Sequence, residues 1–451
     1  MRGRYCLLLL SAILALAPGF AVAESLKSVV RRTLATNPDL KALSFNRQAI
    51  DEELEAAKGL GRPSVDVRAA AGHRNRDGTS GIAAGLSVHS RSSRNRYEAG
   101  VVASQRLFDG GETRAQVERQ VNRVESARSR VQDTANAIAL QATQAYLEIQ
   151  RTSRVSAIAQ GNVRAHEELL KKVRDRAQGG RGASSEVAQA TARLNAAKAS
   201  ALEAVARNRD AVSLFIAVVG TRPPARFEAV TPPVKALPKS VDAAVVQAQR
   251  GSPAIIARMF DAAAASAAIN VAKADFYPKV TAELSADYYS DMDRGVGRRS
   301  DVTGMIVMRQ NLYRGGIDSA RVREAYARAN ESQATSDLMR RTVEREVRLS
   351  WTAMTIARAR SEVISRQLEQ NRSVIKAYTE QFELGQRTLI DLLDVQNELF
   401  INETSSVTEA FVSNFNSFRV LASMGRLVPS LGLDYNEEAR RMPLPGSAIF
   451  P

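Results

Sequence analysis

Gln105-Arg106-Leu107-Phe108-Asp109-Gly110-Gly111 returns as Gln310-Asn311-Leu312-Tyr313-Arg314-Gly315-Gly316, at an offset of 205 residues. The same offset carries Ala115 to Ala320, Val117 to Val322, Tyr146 to Trp351, Gly180 to Gly385 and Gly220 to Gly425, with no insertion between them. Upstream, Pro38 and Pro63 are spaced like Pro253 and Pro278, so the halves differ in length only between the second proline and the Gly-Gly pair. A repeat this long exceeds any solenoid period, and each copy is a multi-element half of one architecture. The function is something that two similar halves build together.

Downstream of each Gly-Gly pair the chain is helical in character. Residues 112–178 contain no proline and one glycine, Gly161, and residues 317–384 contain neither. Ala, Leu, Gln, Arg and Glu dominate, with apolar residues three and four apart, which predicts long helices over about 112–179 and 317–384. At 1.5 Å per residue each reaches roughly 100 Å, too long to be covered by one compact domain. Each must pack against other rods. The tips at Gly180 and Gly385 are followed by second helices over about 184–220 and 388–426, hence antiparallel hairpins. Asn37 before Pro38 and Ser252 before Pro253 read as N-cap followed by proline at the first helical position.

Between those starts and the Gly-Gly turns lie strands. Val280, Ala282, Leu284, Ala286 and Tyr288 alternate with Thr281, Glu283, Ser285 and Asp287; Val65, Val67, Ala69 and Ala71 flank Asp66 and Arg68. The expected strands are about 64–73 and 97–108 in the first half, 279–289 and 302–313 in the second. Segments of about 10 residues with this period suit a membrane-spanning strand. A half-buried soluble hairpin explains any one of them equally well. Four strands cannot close a barrel and a bilayer tolerates no open sheet edge, so a membrane version must share its barrel with further copies.

The chain begins with Arg2 and Arg4, an apolar run over 7–17 and Ala21-Val22-Ala23 before Glu24, the pattern of a secretory signal over 1–23. No other run is read as a membrane-spanning helix. Cys6, the only cysteine, precedes the apolar run, so the mature chain is expected to lack disulfides and a lipid anchor. The formal charge of +15 is spread among acidic residues on helical segments, without stacking aromatics, which argues against nucleic acid. Arg74, Arg76, Arg91, Arg94 and Arg96 are candidates to face outer-membrane lipid, with a solvated loop as the competing reading.

The doubled Q-x-L-[FY]-x-G-G turn, the two helix starts and the run Gly385-Gln386-Arg387-Thr388-Leu389-Ile390-Asp391-Leu392-Leu393-Asp394 together resemble the TolC-type outer-membrane channels of Gram-negative bacteria. The resemblance implies a mainly α protein with a small membrane β part. Duplicated helix-hairpin halves would form a homotrimer, with a 12-stranded outer-membrane β-barrel continued by an α-helical periplasmic tunnel. It implies a passive exit duct that meets a periplasmic adaptor and an inner-membrane transporter, ABC-type or proton-driven. Type I protein secretion is the expected route, with small-molecule or multidrug efflux as the alternative.

The resemblance also implies a periplasmic gate at the tips, where Arg387 links helices and Asp391 and Asp394 line the constriction. Three copies would repeat the carboxylates as two acidic rings. Phe382 stands where the family often has a tyrosine, which shifts closure toward packing. Glu186 occupies the position of Asp391 in the first half, within a glycine-rich tip. The domain plan is a signal over 1–23, repeats over 24–220 and 241–427, a proline-rich linker over 221–240 and a proline-containing tail over 428–451. Linker and tail are expected to wrap the tunnel near mid-height.

Nothing in the sequence supports an enzyme. His73, His89 and His166 lack metal-ligand spacing, no phosphate loop or nucleophile elbow is present, and no cofactor or metal is expected. A periplasmic adaptor would carry one hairpin between soluble β-domains. A structural coiled-coil protein would lack the strand pairs.

Overall fold

A computed structural model of the chain describes residues 23–83, 86–180, 182–290 and 298–435. Residues 1–22 of the expected signal, Arg181 in the first tip, the loop 291–297 and the last part of the tail, 436–451, lie outside the described residues.

Each half opens with two helices rather than one: α1 (Leu26–Thr36) and α2 (Pro38–Gly59), then α5 (Val241–Gly251) and α6 (Pro253–Lys273). The break is local. Asn37 and Ser252 are extended, and the Asn37 side chain accepts from the Asp39 and Leu40 N–H groups. The stretch Val241–Phe276 is apolar and long enough to cross a membrane, contrary to the sequence reading that no second run qualifies. It is broken at Ser252–Pro253, and α6 packs its alanines against α3 and α7.

The strands β1 (Ser64–Ala83), β2 (Leu86–Phe108), β3 (Lys279–Ser290) and β4 (Arg298–Arg309) form one antiparallel sheet in the order β1-β2-β3-β4. The first pair runs well beyond the expected 64–73 and 97–108. Its ladder continues through polar residues, with His73 hydrogen-bonded to Asn95 and Ser93, where apolar alternation gives no signal. β4 ends at Arg309 rather than 313, because Gln310 and Asn311 leave the ladder. Register assigns the faces. Val65, Val67, Val101, Ala99, Tyr97, Leu284, Ala286, Tyr288, Val302 and Ile306 share one face; Arg68, Glu98, Asp287, Tyr289, Arg299 and Asp301 share the other. Exposed Tyr97 and Tyr288 mark one end of the apolar band, and exposed Phe108, Phe276, Tyr277 and Tyr313 the other, the arrangement of aromatic girdles at two membrane interfaces.

Below the sheet run the long helices α3 (Glu112–Gln178) and α7 (Ile317–Glu383), each paired with a return helix, α4 (Ser184–Val219) or α8 (Leu389–Ser423). The largest core lies where Tyr146 of α3 and Phe215 of α4 are fully buried with Val29, Val30 and Leu34 of α1 and Phe418 and Leu421 of α8. Each such side chain contributes roughly 1.5–3 kcal/mol by burial. Tyr146 meets Phe227 of the linker edge-on at 4.9 Å and donates its hydroxyl to the carbonyls of Glu24 (2.7 Å) and Glu228 (3.0 Å). Beyond α8 the short helix α9 (Leu427–Ser430) begins the tail, which seats Leu427, Val428 and Leu433 in the same core. Linker and tail therefore fasten to the helices well away from both tips.

Candidate functional site

At the foot of the sheet the chain turns from strand to long helix. Gly110 and Gly111 have φ of 67° and 84°, and Gly315 and Gly316 have φ of 60° and 84°. A Cβ on Gly110 would stand 2.5 Å from the Tyr277 Cβ, so this position excludes a side chain on two counts. Asp109 replaces the missing cap of α3, accepting from the N–H groups of Gly111 (3.0 Å) and Thr113 (2.9 Å) and from the Thr113 hydroxyl. Burial pushes its carboxyl up, but the Thr113, Gly111 and Arg106 donors outweigh burial and hold it below the usual carboxylate range. Arg314 stands at the corresponding place in the second half and pairs with Asp318 at 3.6 Å. Lys279 joins the halves here, bonded to Glu112 (2.8 Å) and Asp275 (3.2 Å).

At the opposite end lie the tips. Gly180 and Gly385 turn the chain with φ of 72° and 74°. In the second tip Thr388 caps α8 and Asp391 closes a capping box: the Thr388 hydroxyl oxygen accepts from the Asp391 N–H (3.2 Å) and Asp391 accepts from the Thr388 N–H (3.3 Å). Arg387 reaches three groups. Its Nε donates to Gln381 (2.9 Å), its guanidinium lies 4.3 Å over the Tyr378 ring, and it approaches Asp391 at 3.9 Å. Within one chain Arg387 therefore braces its own hairpin.

Asp394, one turn along α8, does not share that network. It accepts from Arg193 of α4 at 3.1 Å and so ties the two hairpins together. Phe382 is buried with Leu389, Leu392 and Leu393, under the Arg176 guanidinium 4.8 Å from its ring. Arg176 also donates to the Phe382 carbonyl (3.3 Å), and Lys172 pairs with Glu383 at 2.5 Å. Glu186 sits in the first turn of α4, where Ala183 gives no side-chain cap. The two tips are therefore unequal: the position of Thr388 is Ala183 in the first half. His166 is buried near Arg193, and burial followed by that neighbouring charge holds its pKa down.

Sequence reasoning missed Arg193, Arg176, Lys172 and Tyr378. Tyr378 lies one helical turn before Phe382, a spacing that could have found it. The three cations lie in the other half of the duplication, and no local pattern indicates their partners.

A family model described as outer membrane efflux protein matches residues 29–220 and 244–408, which spans both halves and both tips. The chain belongs to the outer membrane efflux protein family. That family consists of efflux ducts rather than enzymes, and this efflux protein is an outer-membrane channel component, with its strands in the membrane and its helices in the periplasm. It is 24% identical over 419 residues to the outer membrane efflux protein BepC of Brucella suis biovar 1, across 92% of this chain and 88% of that one. Its fold is similar to the Campylobacter jejuni CmeC outer membrane channel, with TM-score 0.77, 15% identity and coverage of 93% and 90%. It is similar also to the open state of the Neisseria gonorrhoeae MtrE outer membrane channel, with TM-score 0.75, 16% identity and coverage of 89% of each chain. The efflux protein thus has the fold class expected of it: mainly α, duplicated, with a small membrane β part.

Proposed function

We propose that three copies of this chain form a passive exit duct, which docks through a periplasmic adaptor to an inner-membrane transporter of the ABC or proton-driven kind. One observation carries the reading. Ala257 and Ala264 are buried on α6, on the side where Asp261 meets Ser126 (2.5 Å) and Arg130 (2.7 Å) of α3. Their counterparts at the helix start of the first half, Ala42 and Ala49, are exposed on α2. Ala115 is buried on α3, and its counterpart Ala320 is exposed on α7. The seam that is filled inside the chain is thus open at both ends of the chain, where α7 of one copy suits α2 of the next. The outer edges of β1 and β4 are unpaired among the described residues and need the same neighbour in a membrane.

In that assembly the tips converge on the periplasmic mouth. Arg387, Asp391, Asp394, Glu186 and Phe382 form its gate: packing around Phe382 and the Arg387 brace favour closure, and the aspartates supply negative charge to passing solutes. The matched family and BepC are both described as efflux proteins, which favours expelled small molecules as cargo. Secreted protein, the route expected from the sequence, is the other outcome of the cargo test.

The assembly test uses cysteines placed by the repeat. Ser126 and Asp261 correspond to Glu331 and Asn46. The Asn46→Cys, Glu331→Cys double variant should cross-link on oxidation into a covalent ladder that stops at three chains. A monomer that never cross-links in membranes would sink the reading. For cargo, a deletion strain that becomes drug-sensitive with normal secretion indicates efflux, and the reverse phenotype indicates type I secretion.

A further inference from the structure

The inner, polar face of the sheet changes character toward its outer end. Near the middle Arg68 is neutralised by Asp287 at 3.1 Å and bonds the Tyr289 hydroxyl at 3.1 Å. Beyond the rung pairing Ala70 with Glu98, the next rungs on that face are Gly72 opposite Arg96 and Arg74 opposite Arg94. Across the sheet, Arg299 stands opposite Tyr289 on the same face. Arg96 pairs with Glu98 and Arg299 with Asp301 (2.8 Å). Among the described residues this face of the rim carries the arginines Arg74, Arg94, Arg96 and Arg299 and the carboxylates Glu98 and Asp301. Arg94 makes no ion pair among the described residues, and it stands directly across from a second arginine.

Like charges placed directly opposite on neighbouring strands destabilise a sheet. A strand end that accepts this cost breaks a local rule, and such breaks mark functional positions. Arg74, Arg94 and Arg96 also lie past the end of the apolar band, and Arg299 lies level with that end. On the opposite face the apolar band ends at Tyr97 and Tyr288, and the following positions are polar, with His73 bonded to Asn95 (3.1 Å) and Ser93 (2.8 Å). Guanidinium groups hold phosphate by paired, charge-assisted hydrogen bonds, and rings of them line anion-binding pores.

We propose that Arg74, Arg94, Arg96 and Arg299 form an anion-binding vestibule at the outer mouth of the duct, which takes soluble multivalent phosphate compounds. The proposal rests on the trimeric barrel above, since only closure turns this face into a lumen and repeats the cluster three times. Because the arginines share the face of Asp287 and Glu98, opposite the apolar face, the ligand comes from the aqueous mouth rather than from lipid headgroups.

The test uses the full mature chain in nanodiscs with tripolyphosphate as the probe, titrated calorimetrically at low salt. One set of discs is zwitterionic phosphatidylcholine and a second contains diphosphoryl lipid A. Expected is saturable binding, alike in both discs, weakened at least tenfold in the Arg74→Gln, Arg94→Gln, Arg96→Gln variant and several-fold in Arg94→Gln alone. A verified trimer that does not bind, or variants that bind as well as the parent, would overturn the vestibule alone. Binding lost only in the lipid A discs would place the arginines among headgroups and overturn the lumenal assignment. A chain that stays monomeric in detergent removes the duct reading and the vestibule with it.

Discussion

Arg193 donates to Asp394 at 3.1 Å, so a residue of the first hairpin holds a residue of the second one turn from its tip. Both side chains are substantially exposed, and exposed pairs of this kind contribute roughly 0.2–1 kcal/mol. Arg193→Ala should therefore leave the unfolding midpoint nearly unchanged while shifting a closed-to-open equilibrium at the tips by up to about fivefold. Single-channel open probability reads this directly; an unaltered value would mean that closure does not depend on the tether.

Beneath that tether, His166 is held neutral by burial and by the Arg193 charge. The unfolded chain takes up the proton first, near 6.5, so stability is complete above that pH and declines as pH falls from there toward the depressed folded value. His166→Gln should flatten the midpoint between about pH 7 and 5. An equal slope in parent and variant would assign the acid sensitivity to other groups.

The two tips differ by one cap. Thr388→Ala removes a capping box and should cost about 0.5–2 kcal/mol locally, whereas Ala183→Thr places a hydroxyl three residues before Glu186 and should stabilise α4 by a similar amount. Limited proteolysis should show faster cleavage at the second tip in the former and slower cleavage at the first in the latter.

The strand-to-helix turns separate steric from backbone effects. Gly110→Ala meets both a left-handed φ and the Tyr277 Cβ, while Gly111→Ala meets the left-handed φ alone. The latter should cost about 1–2 kcal/mol and the former clearly more, read as the yield of assembled protein in membranes.

Tyr146→Phe keeps the ring against Phe227 and removes one donor each from the carbonyls of Glu24 and Glu228, which keep the Glu228 N–H (3.3 Å) and the Gln150 amide (2.8 Å). A loss of about 0.5–1.5 kcal/mol is expected in denaturant titration, the net worth of a hydrogen bond whose acceptors keep another donor. Burial first, opposed in part by the bond to Glu228, raises the Tyr146 pKa to about 12, so this bond should survive alkaline conditions that ionise ordinary tyrosines near 10.

Much of this architecture is written locally. Proline and glycine spacing marks where the long helices start and stop, since a 67-residue helix tolerates neither in its interior without cost. The strands were legible only while apolar residues alternated. From Arg74 to Gly81 no apolar residue alternates, and pairing alone extends β1 to Ala83. The short helices ahead of α2 and α6 escaped notice because Pro38 and Pro253 mark the second helix of each pair more strongly than Ser25 or Ser240 mark the first.

The sequence by itself determined the duplication, the hairpins, the sheet's two-faced character and the positions of the tip charges, because each depends on contacts within a few residues or on a repeat visible by eye. Only the tertiary structure decided what those charges do. Asp391 and Asp394 look alike three residues apart, yet one closes a cap with Thr388 and the other reaches Arg193, 201 residues away. Ala42 and Ala257 look alike too, and one is exposed while the other is buried. Burial and ion pairing are set by which helices pack side by side, and that is a property of the assembled halves that no local period encodes.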